Sequence, residues 1–277
     1  MSDVGEGRTV DREQGVHGWS GVSGKRVLVT GGTRGLGEQI VRLLAAEGAR
    51  VATCARTVAD LDALRGSLGD RGAGSLFTQA LDVTEPERLE DFVAASARRF
   101  GGLDGVVASA GGSRGRSLEH ADVEDWMATW ELNVGHTARL VRAAIPYLRT
   151  AGGGSVVVIS SISGWKPGPN AQYGSAKSAQ IHLAASLARE LGPDGIRVNA
   201  VSPGSMLIPG RRWDRMRTED PEAFAAFAQA ELPGGGPVAP HEVARVVAFL
   251  LSDWSSGISG ANLPVDRAQN APSPDGY

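Results

Sequence analysis

The chain has 277 residues, 42% of them hydrophobic and 21% charged, with a formal net charge of −3. That length supports a sizeable core in one large domain or two small ones, and a near-neutral balance gives nucleic acid or an anionic membrane no electrostatic hold. No apolar run approaches the ~20 residues that cross a bilayer, no basic-then-apolar leader opens the chain, and a single cysteine, Cys54, excludes an internal disulfide, so a reducing, cytoplasmic setting is expected.

Residues 1–23 are polar and glycine-rich without apolar periodicity and read as a flexible tail. From Lys25 onward short apolar runs alternate with helical patterns. Strands are expected over 26–30, 50–54, 76–81, 103–109, 155–160, 196–201 and 262–265. Helices are expected over 36–47, 58–68, 85–99, 122–149, 171–191 and 240–252. Val- and Ile-rich strands alternating with helices predict a doubly wound parallel sheet of about seven strands, covered on both faces: a Rossmann-type α/β fold with its ligand at the carboxyl ends of the strands. No composition shift divides the chain, so a single domain is expected over 24–268, followed by a C-terminal tail over 269–277. Within it, 203–239 is rich in Pro and Gly, with Trp213 and a short helical pattern at 221–231. A loop that long directly after a strand reads as a substrate lid.

The first strand runs into Thr30-Gly31-Gly32-Thr33-Arg34-Gly35-Leu36-Gly37 and then into a helix. Glycines there allow a tight turn and a close backbone approach. The free N–H groups and the helix dipole favour a pyrophosphate. The spacing is Gly-x-x-x-Gly-x-Gly rather than the commoner Gly-x-Gly-x-x-Gly. Further on, the strand Val156–Ile159 delivers Ser160-Ser161 and then Ser163 to the ligand crevice, or simply into a turn. Tyr173 and Lys177 stand four residues apart on one helix face. An ammonium beside a phenol favours phenolate, so a lowered Tyr173 pKa and a general acid or base near neutral pH are expected.

These elements, with Asp82-Val83, Ala108-Ser109-Ala110-Gly111, Asn133 and Val198-Asn199-Ala200-Val201-Ser202-Pro203-Gly204, make the chain similar to the short-chain dehydrogenase/reductase family over about 23–266. The resemblance implies that Tyr173 protonates a substrate carbonyl during reduction and that Lys177 lowers the Tyr173 pKa and bonds the nicotinamide ribose. It implies that Ser161 stabilises the developing alkoxide and that Asn133 holds a water linking Lys177 to solvent. Ser161 stands three before Gly164, the family's usual place. The segment from there to Tyr173 is one residue shorter than is common, which keeps Ser160 and Ser163 as alternatives. Asn133 has a second reading as a helix amide bonding its own backbone. The implied cofactor contacts are Gly31, Thr33, Arg34, Gly35, Leu36, Gly37, Arg56, Asp82, Val83, Ser109, Ala110, Gly111, Tyr173, Lys177, Pro203, Gly204 and Met206.

The second strand ends at Ala55, where an acid would select NAD, and Arg56 follows it. Arg34 and Arg56 suit a 2′-phosphate, so NADPH/NADP+ is expected ahead of NADH, with no metal. Three positions depart from the family. Ala108-Ser109 replace paired asparagines, Ile208 stands where a threonine often holds the carboxamide, and Arg267-Ala268 follow Asp266 where glycines are usual. Ser113, Trp165 and Trp213 are candidate substrate residues, and the apolar side chains among them suggest a fairly apolar ketone, possible also as a carrier-bound acyl or polyketide group of secondary metabolism. The resemblance implies a homotetramer or homodimer through the 122–149 and 171–191 helices and the last strand, although the apolar residues of those helices equally suit the sheet. An NADPH-dependent ketoreductase is the leading reading. An NAD(P)+-dependent alcohol or sugar dehydrogenase and a non-catalytic nucleotide-binding regulator are the alternatives.

Overall fold

The computed structural model describes residues 21–73, 75–114, 117–168 and 170–270. Most of the tail expected over 1–23, and 271–277 of the one expected over 269–277, lie outside the described residues. The described edges are packed: Val22 and Gln269 are both buried.

Among the described residues seven strands form one sheet: β1 (Arg26–Thr30), β2 (Arg50–Ala55), β3 (Leu76–Ala80), β4 (Gly105–Ala108), β5 (Gly154–Ile159), β6 (Ile196–Pro203) and β7 (Asn262–Val265). Their order is β3-β2-β1-β4-β5-β6-β7, and every pairing is parallel. The chain winds outward from β1 to β3, then crosses back to lay β4 on the other side of β1. The loops leaving β1 and β4 therefore part in opposite directions and open a crevice at the carboxyl edge, where doubly wound sheets bind ligands. Register pairs Val29 with Val107. The Thr30 hydroxyl beyond that pair accepts bonds from the backbone N–H groups of Ser109 (3.1 Å) and Ala110 (3.2 Å), which ties the two edges of the crevice.

Strand alternation sorts the core into two layers. Val106, Val156 and Val158 face one side with Phe92, Leu140, Leu148 and Ala184, residues of α3 (Pro86–Phe100), α5 (His136–Thr150) and α6 (Ala171–Leu191). Val107 and Val157 face the other with Ile40, Leu44, Val243 and Val247, from α1 (Gly35–Ala46) and α9 (Pro240–Leu251). The helix α2 (Val58–Ala73) connects β2 to β3.

Two features differ from the expected element pattern. The helix expected over 122–149 is α4 (Val123–Trp130) joined to α5 by a π-turn, Glu131–Gly135. The segment 203–239 carries two short helices, α7 (Arg212–Glu219) and α8 (Pro221–Glu231), of which only the second has apolar periodicity in the sequence. The Trp213 ring stacks on Phe227 at 4.0 Å and locks these two helices together.

Where family glycines would follow Asp266, Arg267 and Ala268 adopt φ of 52° and 67°. A Cβ in that left-handed region costs about 1 kcal/mol per residue. The turn is held by Asp266, whose carboxylate accepts from the N–H groups of Ala268 (3.1 Å) and Asn270 (3.0 Å), and by an Arg267–Glu242 ion pair at 2.9 Å. Ala268→Gly should therefore raise the unfolding free energy by about 1 kcal/mol in urea denaturation. Arg267→Gly should gain less, because it also releases Glu242.

Candidate active site

The glycine turn closes on itself so tightly that side chains are excluded. A Cβ on Gly37 would lie 2.2 Å from the Gly31 carbonyl oxygen, and one on Gly32 would lie 2.1 Å from the Thr53 hydroxyl. Gly31 and Gly35 have φ of 72° and 57°. Arg34 precedes α1 without a side-chain cap, so the first-turn N–H groups of this helix are open to an anion. Leu36 is buried in the core beneath the turn, and Thr33 is partly exposed within it. These features fit a dinucleotide pyrophosphate.

Around this cradle, Arg34 and Arg56 are both exposed, and neither forms an ion pair among the described residues. Asp82 accepts from Thr84 N (3.0 Å) and Oγ1 (2.8 Å) and faces Arg114 at 3.9 Å. Burial alone would raise its pKa, but the Thr84 bonds and the charges of Arg114 and Arg56 hold it below the usual carboxylate range. Val83 is buried beside it. A Cβ on Gly204 would collide with Asp266 and with the Gln269 amide oxygen, both at 2.7 Å, so Pro203-Gly204 and the chain end are in close contact. Met206 packs on the α1/α9 core layer. Ile208 folds back over the cradle, 3.2 Å from where a Gly35 Cβ would sit.

The chemical groups meet beyond β5. Ser160 is buried and donates to the Lys177 carbonyl at 2.8 Å, so its hydroxyl is used inside the fold. Ser161 caps the following turn by accepting from Ser163 N at 3.1 Å, and its side chain lies near enough to Tyr173 to act on the phenol's pKa. Asn170 caps α6 by accepting from Tyr173 N (3.2 Å) and donates to Ser113 at 2.5 Å, which links that candidate substrate residue to the tyrosine's turn. Lys177 is buried with its Nζ 5.5 Å from the Tyr173 ring centre. Burial raises the Tyr173 pKa, and the Ser161 side chain only partly reverses this. The expected lowering by Lys177 is thus not what the structure shows. The ammonium is itself pushed down to about 7 by burial.

The π-turn sets the opposite wall. Asn133 is buried and donates to the carbonyls of Gly112 (2.8 Å) and Thr129 (2.7 Å) and accepts from Gly112 N (3.2 Å). Its amide therefore stitches the β4 loop to the helix. A Cβ on Gly111 would sit 2.8 Å from Asn133 Oδ1 and 3.2 Å from Lys177 Nζ, so only a glycine lets this loop pass both groups. His136, absent from the sequence-based candidates, is fully buried, with Nδ1 2.6 Å from the Leu132 carbonyl and Nε2 3.5 Å from Thr30 Oγ1. It joins the π-turn to the strand that carries the glycine turn. An isolated histidine in a helix gives no sequence signal for such a role. Trp165 lines a recess with Ser178, Ile181, His182 and Ala185, on the α6 flank. Trp213 is occupied in its stack with Phe227.

The enoyl-(acyl carrier protein) reductase family model matches residues 31–267. Isoepoxydon dehydrogenase of Aspergillus clavatus is 37% identical, with 88% of this chain and 94% of that protein covered. The 3-oxoacyl-(acyl-carrier-protein) reductase of Vibrio cholerae is 34% identical, covering 88% and 97%. Among solved structures, L-sorbose reductase from Gluconobacter frateurii, complexed with NADPH and L-sorbose, superposes with a TM-score of 0.82 at 30% identity, covering 89% of this chain and 97% of that one. The chain belongs to the short-chain dehydrogenase/reductase family and is an oxidoreductase acting on alcohol and carbonyl groups.

Burial lowers the His136 pKa from 6.5 to about 4, so the unfolded chain takes up this proton before the folded one does. The sign follows: stability should fall as pH drops from 6.5 towards about 4. The loss from this residue is on the order of 3 kcal/mol. His136→Gln should flatten that part of a stability-against-pH curve measured by urea unfolding.

Proposed function

We propose that the protein is an NADPH-dependent ketoreductase in which Tyr173 donates the proton, and the observation that carries this reading is the grouping of Tyr173 and Ser161 beside the buried Lys177. The nicotinamide cofactor, when bound, supplies the hydride. Gly31, Thr33, Gly35, Leu36 and Gly37 would hold its pyrophosphate, and Asp82 and Val83 its adenine. Ser109, Ala110, Gly111, Pro203, Gly204 and Met206 would line the rest of its path, with Lys177 on the ribose.

In this reading Tyr173 and Ser161 would present two hydroxyls to one point in the crevice. A carbonyl oxygen seated there gains two hydrogen bonds that strengthen as negative charge develops on it. A phenol raised by burial stays protonated at neutral pH, which suits donation and therefore reduction. Once its proton has moved, the phenolate favours the charged form of Lys177, so the two groups titrate as a pair. Asn133 fixes the β4 loop against Lys177 and would order a water there through Oδ1.

Arg34 and Arg56, with no acid at the end of β2, support NADPH over NADH. The names of the isoepoxydon and 3-oxoacyl relatives support a carbonyl or alcohol substrate, free or carrier-bound, which this reading takes to be a fairly apolar ketone of secondary metabolism. Ser113, Trp165 and Trp213 would line its pocket. On α4, Val123, Met127 and Trp130 form an exposed apolar stripe at helical spacing. Such a stripe fits a homodimer or homotetramer. No described helix is long and apolar enough to cross a membrane, and a cytoplasmic enzyme is the reading adopted.

Tyr173→Phe should lower ketone reduction by a factor of about 10² to 10⁴ while leaving NADPH affinity within about twofold. Unchanged turnover would remove the proposed proton donor. NADPH should bind at least about tenfold more tightly than NADH, and Arg34→Ala with Arg56→Ala should erase that preference.

A further inference from the structure

Lys177 is a buried cation whose neighbours are neutral. Its Nζ donates to the Ile159 carbonyl (2.9 Å) and to the Gln180 side-chain oxygen (2.8 Å). Desolvation alone accounts for its lowered pKa. Gln180 lies on the same face of α6, almost one turn on, and is fully buried. The other end of its amide donates to the Asn133 carbonyl (2.9 Å) and to Thr137 Oγ1 (3.0 Å). The Thr137 hydroxyl also donates to the Asn133 carbonyl, at 2.6 Å.

The amide orientation is fixed by its surroundings. Turned over, it would set NH2 against an ammonium and oxygen against a carbonyl. The side-chain type is fixed as well. An aliphatic residue would leave the ammonium and the Asn133 carbonyl each one partner short in a dry interior, where unmet polar groups are costly. A glutamate would pair with Lys177 but offer the carbonyl no donor. Asparagine is one methylene shorter and cannot span the gap.

We propose that Gln180 is a positioning residue: its amide anchors the Lys177 ammonium to the carbonyl exposed by the π-turn and so keeps that ammonium charged and fixed beside Tyr173. This inference rests on the assignment of Tyr173 and Lys177 as the proton-donating pair. It also redirects proton resupply. The Asn133 carbonyl already accepts from both Gln180 and Thr137, and a carboxamide holds a proton donor without passing its proton on. Resupply to Lys177 therefore approaches from the Gly111 and Asn133 Oδ1 side, through the cleft.

The titratable groups around Lys177 are few. Tyr173 faces it from α6. His136 faces it from the helix across the site and is neutral near pH 7 because burial holds it at about 4. Glu131 and Arg139 act on His136 and pair with each other. The strand β5 contributes the Ile159 carbonyl, and the β4 loop contributes Gly111.

The chain has three lysines, Lys25, Lys166 and Lys177, and Lys25 and Lys166 are ion-paired to Asp253 and Glu231. NMR titration of the full-length protein carrying isotope-labelled lysine thus reads Lys177 directly. Gln180→Met keeps the volume but removes both ends of the amide, and Gln180→Glu adds an anion at the same place. The Lys177 midpoint should fall by roughly one unit in the Met variant and rise by at least about one unit in the Glu variant, with Lys25 and Lys166 unmoved. The kcat for ketone reduction should fall about tenfold in the Met variant with little change in substrate KM. A Lys177 midpoint that stays at the wild-type value in both variants, or moves the same way in both, overturns the proposal. Should the Met variant fail to fold, the Glu variant decides alone through the upward shift. Opposite shifts with an active Tyr173→Phe enzyme would instead leave the clamp standing and remove the catalytic role of the pair it serves.

Discussion

A positive charge buried without a negative one is the constraint to which this site answers. Lys177 has its ammonium buried under the crevice floor, and among the described residues no carboxylate compensates it. An isolated ammonium in such a place sheds its proton unless neutral acceptors surround it in good geometry. Each acceptor comes from a different element: the Ile159 carbonyl from the end of β5, the Gln180 amide from α6 itself and, through that amide, the Asn133 carbonyl from the π-turn. The price is structural rigidity, since all of these elements must stay registered for the charge to survive.

The π-turn is what makes that registration possible. A regular α-helix spends its carbonyls on its own ladder. A wider turn disturbs the ladder locally, and here the carbonyls of Leu132 and Asn133 meet side chains instead, His136 and Thr137 from the next turn and Gln180 from α6. His136 carries the connection on to Thr30, and Thr30 carries it to Ser109 and Ala110. One continuous set of polar contacts thus runs from the helix wall to both edges of the switch point. The glycine turn and the Tyr173 group are positioned against the same frame.

The repeating parts of this fold were legible because they obey simple periods. Runs such as Arg26–Thr30 and Gly154–Ile159 are apolar and β-branched, and their strands start and stop within a residue or so of expectation. The glycine turn and the Tyr173–Lys177 spacing were readable for a similar reason: their chemistry is local. What escaped was non-local or unpatterned. The π-turn replaces one helix geometry with another while the apolar spacing carries on across it. α7 is mostly charged and offers no apolar stripe, so the stack of Trp213 on Phe227 was needed to reveal its place. The direction of the Tyr173 pKa was misjudged because spacing reports which groups are neighbours, not how much water has left them. Gln180 and His136 are ordinary helix residues until the opposite wall is present.

The same reasoning extends to the segment over 203–239. Gln269 has its amide oxygen 2.7 Å from Ser205 N and its amide nitrogen 2.9 Å from Ser205 Oγ. Lys166, just after the Ser161 turn, reaches both the Gln269 carbonyl and the Glu231 carboxylate at the end of α8. The residues beginning the expected C-terminal tail are therefore a strap that fastens the start of this segment at Ser205, and Lys166 joins the end of α8 to the turn bearing Ser161. Left-handed φ at Arg267 and Ala268 aims this strap back across Gly204. Strain of about 1 kcal/mol per residue is matched by two amide hydrogen bonds made in a buried place. The sequence departs from the family's glycines there without losing the turn. In exchange it gains the Arg267–Glu242 pair, which anchors the strap to α9.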